Sequence, residues 1–205
     1  MKLKWLLVSS CIPAMCAFAA PATTPAAPCT CAPGEPTAAS YTWNFKAEAN
    51  RIFKNIRSDA DDASYRTDRL QGFERDPHID WQAHGEQLDW VRHDVNDMGR
   101  KLCRLESIRR VVAPWQQAEI DRIAPTLRLM ADNTEDAITF GNGHPGELWL
   151  GRYRTYTDSL YDEAQTLSHS VGTAVSYANT SKDYQDLQRE LGVPAMATHS
   201  KGGKS

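Results

Sequence analysis

The sequence predicts an all-α fold, an antiparallel four-helix bundle with long helices, preceded by a cleaved signal peptide and a Pro-rich linker. Three observations predict it. First, positions from Trp81 to Val112 step by 3 and 4 without a break: Trp81, His84, Leu88, Val91, Val95, Met98, Leu102, Leu105, Arg109 and Val112. Eight of these ten are apolar, and the residues between them are mostly charged or amide-bearing. That pattern is a helix with one narrow buried seam and a wet outer face. Second, three further stretches carry the same alternation. Third, no segment alternates apolar and polar residues with period 2 between hairpin turns, so no strand is expected.

The chain opens with Lys2 and Lys4, followed by an apolar run from Trp5 through Ala20. Ala17-Phe18-Ala19 supplies the small-x-small pattern that signal peptidase reads, so residues 1–19 read as a signal peptide. The run is interrupted by Pro13 and falls short of the about 20 apolar residues that a membrane span needs. Val8-Ser9-Ser10-Cys11 also fits, loosely, a lipoprotein signal in which Cys11 carries a lipid anchor. That reading leaves Pro13 to Ala20 unexplained, so cleavage near Ala19 is the primary expectation. Residues 20–40 are rich in Pro, Ala and Thr, with Pro21, Pro25, Pro28, Pro33 and Pro36. Such a segment lacks core-forming side chains and reads as a disordered linker.

The bundle domain is expected over 41–194. Its first helix runs from about Tyr41 to Gln71 with the seam Ala49, Phe53, Ile56, Ala60, Ala63, Thr67 and Leu70, and Gly72 is read as its stop. Asp76-Pro77 supplies an N-cap followed by a first-turn Pro for the second helix. Pro114 marks the next turn. The third helix carries Ile120, Ile123, Leu127, Met130, Thr134 and Ala137, with Pro125 inside it and a bend expected there. Gly141-Asn142-Gly143-His144-Pro145-Gly146 is the clearest turn in the chain. The fourth helix follows Trp149, Tyr153, Tyr156, Leu160, Ala164, Leu167, Val171, Ala174 and Ala178. A break is expected near Asn179, because Thr180 and Asp183 have the spacing of a capping box. A last helical stretch through Tyr184, Leu187 and Leu191 closes at Gly192, with Pro194 just beyond. Residues 195–205 read as a flexible tail.

Formal net charge is −3, and removing residues 1–19, with Lys2 and Lys4, takes it to −5. Mild acidity argues against nucleic acid as a partner. Cleavage leaves Cys29, Cys31 and Cys103, an odd count for an oxidising compartment. Cys103 lies next to the seam, where a partly buried core role is the expectation.

Candidate chemistry is sparse. His84 sits in the seam of the second helix. A buried imidazole needs a partner, either a backbone carbonyl or Asp80 in the core, or else a haem or metal. Covalent haem c is excluded by the lack of Cys-x-x-Cys-His. Asp89, His93 and Asp97 form an i, i+4, i+8 column, read as an outer-face ion-pair ladder rather than a cation site. One helix face cannot surround a metal. Glu-x-x-His pairs, Gly-x-Ser-x-Gly and His-Glu-x-x-His are all absent, and no glycine loop follows an expected strand as a phosphate-binding loop does. No catalytic, cofactor-binding or metal residue is therefore nominated. Trp90, Tyr161, Tyr177 and Tyr184 fit a single stripe poorly, and Trp90, Tyr161 and Tyr177 are the candidate partner-binding residues, as Tyr and Trp are favoured interface anchors.

Pro114-Trp115-Gln116-Gln117-Ala118-Glu119-Ile120 slightly resembles the Leu-Thr-x-x-Gln region of periplasmic helical stress proteins. It lacks the Leu-Thr pair and covers under a dozen residues, so no family is assigned from it. The expected function is an exported, non-catalytic helical bundle, periplasmic or secreted. It would bind another protein or itself as a module of the bacterial cell envelope. The alternative is a periplasmic small-ligand, haem or metal-binding sensor centred on His84.

Overall fold

The computed structural model describes residues 43–76 and 78–192. Four helices follow one another: α1 (Phe45–Phe73), α2 (Trp81–Ile108), α3 (Pro114–Gly143) and α4 (Gly151–Leu191). A single 3-10 turn, Arg109–Val111, lies between α2 and α3. No strand occurs among the described residues. None of the helices is long and apolar enough to cross a membrane. The signal peptide, Cys11, the linker, Cys29, Cys31, Pro77 and the tail lie outside the described residues.

Each helix packs on two neighbours, α1 and α3 both lying between α2 and α4. The polar pairs show how they run. Ser168 to Asp61, Gln165 to Ser64 and Gln71 to Asp158 link α1 and α4 with one number rising as the other falls. Asp59 with Lys101 and Arg66 with Asp94 do the same for α1 and α2. Adjacent helices are therefore antiparallel, as short connections require.

The seam expected for the first helix is buried at every position. Asn44 starts α1, its side chain accepting from the Ala47 N–H at 3.0 Å. The helix runs through Gly72 to Phe73, so Gly72 is not its stop. Phe73 is partly buried against the core, and that packing offsets the modest cost of helical glycine.

The start of α2 corrects the Asp76-Pro77 expectation. Asp80 is the N-cap, accepting from Ala83 N–H at 2.9 Å. Asp76 closes a turn instead. Its carboxylate takes the His78 N–H at 3.0 Å and its carbonyl the Ile79 N–H at 3.1 Å. At the other end the 3-10 turn changes the helical phase. Ile108 is buried in place of Arg109, which reaches out to Asp121. Trp81 likewise leaves the seam and is 52% exposed.

In α3 the seam stays in register across Pro125. Pro125 faces solvent, so water can serve the carbonyl that loses its helical donor. The expected break near Asn179 does not occur: α4 is continuous for 41 residues to Leu191. Thr180 donates to the Ser176 carbonyl at 3.0 Å rather than capping a new helix, and Ser176 donates to Gly172 at 2.9 Å. Hydroxyls bonded one turn back are satisfied inside a helix. Gly192, at φ 62°, ends α4 in the left-handed conformation that favours glycine.

Candidate functional site

Among the buried polar groups, His84 stands out as an imidazole in the seam of α2. His84 is 3% exposed, and its Nδ1 lies 3.3 Å from the Tyr153 hydroxyl of α4. Tyr153 and Phe73 present edges to the imidazole, each with ring centroids 5.5 Å away. The partner is thus neither a backbone carbonyl nor Asp80. Burial pushes the His84 pKa down, against a smaller upward pull from Asp80, and so favours neutral imidazole. Burial raises the Tyr153 phenol further above its ordinary value, with Glu74 adding to the effect.

Glu74, nearly enclosed, accepts from the Thr157 hydroxyl and from Arg154 Nε at 3.2 Å. Burial holds its pKa above the usual carboxylate value despite those two donors. Two small cavities of about 100 and 110 Å³ border both His84 and Leu148. An apolar cavity of about 150 Å³ is what benzene requires, so neither admits a macrocycle without repacking. No group of three metal-ligating side chains occurs among the described residues. The Asp89–His93–Asp97 column forms an outer ladder. Asp89 pairs with Arg92 and Asp97 with Arg100, while His93 Nε2 stands 3.9 Å from Asp97.

The three aromatic candidates are not brought together. Trp90, 47% exposed, lies over the α1–α2 groove, with the Arg66 guanidinium 5.0 Å from its ring. Arg66 is held in turn by Asp94 at 2.8 Å. Tyr161 is half-buried. Tyr177, 54% exposed, sets its ring edge-on to Trp115 at 5.2 Å. Sixteen residues of one helix, about 24 Å, separate Tyr161 from Tyr177.

What the sequence reading missed is that the last third of α4 continues the same helix and exposes its apolar residues as one stripe. Burial of α4 ends at Val175. In the register set by the α1–α4 pairs, Tyr184 comes level with Phe45, so residues beyond it pass the first turn of α1. A continued core face would run through Ala178, Ser181, Gln185 and Gln188, mostly polar positions. The apolar residues sit instead at Tyr177, Tyr184, Leu187 and Leu191, spaced 7, 3 and 4. They are 54%, 52%, 55% and 73% exposed.

At 100° per residue this second stripe lies roughly 150° around the helix from the mean direction of the buried residues Tyr153–Val175, and roughly 95° from their continuation through Ala178 to Gln188. The helix therefore carries two apolar seams, one used and one open. Exposed Trp43 and Val111 stand at the same end of the bundle. The signal was present in the sequence as the phase change after Val175, but an expected helix break at Asn179 concealed it. No protein-family model, curated protein or solved structure matches the chain.

Proposed function

We propose that the protein is an exported, non-catalytic helical bundle that binds a protein chain through the last third of α4, as a structural or protein-binding module of the bacterial cell envelope. The observation that carries this reading is the second apolar stripe. Tyr184, Leu187 and Leu191 lie outside the bundle's own core and Tyr177 meets it only through Trp115, and grouped exposed apolar side chains mark interaction surfaces. The buried carboxylates support the non-catalytic reading, since most are already engaged. Glu74 is held by Thr157 and Arg154, Asp94 by Arg66, and Glu119 by Arg122 and Ser170. Export rests on the Lys2–Ala20 segment alone.

A photoreactive amino acid at Leu187, irradiated in intact cells, tests the reading. It should give a discrete covalent adduct, and the same residue at Lys182 should give far less. No adduct at Leu187 would refute a protein-binding role for this surface.

The cavities beside His84 favour a second reading, a small-ligand, haem or metal sensor. It is the weaker of the two, because Nδ1 is engaged by Tyr153 and the cavities are small. An absorbance spectrum, metal analysis, and melting curves with haem, copper and zinc test it. A colourless, metal-free protein whose melting ignores all three would exclude it.

A further inference from the structure

We propose that the occupant of the α4 stripe is a second copy of this chain, paired with it in parallel over residues 177–191. The inference rests on the protein-binding reading of the same surface and names its partner.

The first argument is periodicity. Tyr177, Tyr184 and Leu191 fall at one heptad position, and Thr180 and Leu187 at the other apolar position. This is the pattern of a two-stranded seam. The second is charge. Beside that seam stand Asp183 and Glu190 on one flank, and Ser181 and Gln188 on the other. Parallel pairing sets Asp183 against Gln188 of the second copy, with no like charges opposed. Antiparallel pairing sets Asp183 against Glu190 of the second copy, two carboxylates facing each other across an apolar seam. The flanks thus tolerate one direction and penalise the other.

The third argument is area. At those exposures the four apolar residues leave roughly 500 Å² open on each copy, near the lower bound for a specific dimer once flanking residues are added. Two heptads are too short to pair as free peptides. Here they continue a helix whose preceding 25 residues, Gly151–Val175, lie within the bundle. The ordering cost of the segment is thereby met before association. A parallel pair has two-fold symmetry and closes on itself, giving a dimer rather than a filament.

Sedimentation velocity of the full chain from about 1 to about 300 µM tests the pairing. The expected result is a reversible dimer with a dissociation constant on the order of micromolar to tens of micromolar. L187E and L191E should each weaken it by roughly tenfold or more, with helical circular dichroism unchanged. A photoreactive amino acid at Leu191 fixes direction. Parallel pairing places its adducts on residues 187–191 of the second copy, and antiparallel pairing on 177–180.

A protein monomeric to the highest concentration, or adducts on 177–180, overturns the proposal. A monomer in vitro whose in-cell adduct at Leu187 has any mass other than two chains overturns self-pairing, while leaving the protein-binding function standing. The lack of any adduct removes both.

Discussion

Replacing Gln116 by Leu is expected to cost the bundle more than any surface substitution. Gln116 is fully buried at the start of α3. Its Oε1 accepts the Ala113 N–H at 2.8 Å, capping the helix. Its Nε2 donates to the Lys46 carbonyl at 2.9 Å and to Asn50 Oδ1 at 2.7 Å, tying α3 to the first turns of α1. Leucine fills a similar volume, so little cavity is expected and the loss is polar. Each such bond contributes about 0.5–1.5 kcal/mol net, and an orphaned buried group costs about 1–3 kcal/mol. The helix start also loses its cap, about 1 kcal/mol. The three bonds are coupled, so the terms overlap, and a total of about 2–4 kcal/mol is expected. In a domain of this size that lowers Tm by about 5–15 °C. Urea titration with a thermal melt measures it. A loss under about 0.5 kcal/mol with an unchanged denaturant slope would refute the role assigned to Gln116.

Other expectations follow from the same contacts. His84 has a depressed pKa in the folded state, so the unfolded chain takes up that proton first, and this group lowers stability as pH falls below about 6.5. Glu74, Asp94 and Glu163 have raised folded pKa values through burial, so they act oppositely, raising stability as pH falls toward the ordinary carboxylate range. H84Q should therefore gain stability, relative to the native chain, between pH 6.5 and 5.5. Urea titrations at both pH values check this, and parallel pH profiles would contradict it. Arg66→Ala leaves Asp94, 8% exposed, without its cation and should cost about 1–3 kcal/mol. Arg92→Ala breaks an exposed pair and should cost under about 0.5 kcal/mol. Equal losses in denaturation would count against the account. On α4, Leu160→Ala empties a fully buried site and should cost about 2–5 kcal/mol. Leu187→Ala should stay within about 0.5 kcal/mol at concentrations where the chain is monomeric.

Much of the fold was legible because burial in a helix repeats at fixed spacing. The seam from Ala49 to Leu70 needed nothing beyond that rule, and the seam from Leu88 to Leu105 held until the backbone changed type. Extrapolating an α-helix through the 3-10 turn puts Arg109 in the seam, whereas the turn brings Ile108 inward instead; Val112, beyond it, is buried as the spacing expects. The choice between Asp76 and Asp80 as cap was not legible, since both are good capping residues, and the turn that occupies Asp76 forms through backbone bonds. At Asn179 the local signal was real but lost to hydroxyls satisfied within the helix.

Contacts across helices were out of reach. His84 meets Tyr153, Gln116 meets Asn50, and Glu74 meets Thr157 over separations of 66 to 83 residues. No periodicity encodes which seam residue faces which. Of the candidate partner residues, Trp90 stands against Arg66 of α1, a contact that no seam pattern encodes. Tyr177 turned out to begin the open stripe, and Leu187 and Leu191 became interpretable only once burial showed that the inner seam had ended.

Amide hydrogen exchange along α4 at two protein concentrations tests the two-seam helix most directly. The account expects residues 153–175 to be strongly protected at both concentrations. Residues 176–191 should exchange readily in dilute protein and gain protection when it is concentrated. Protection of 176–191 equal to that of 153–175 in dilute protein would mean that the stripe is already covered by its own chain, and would contradict the account.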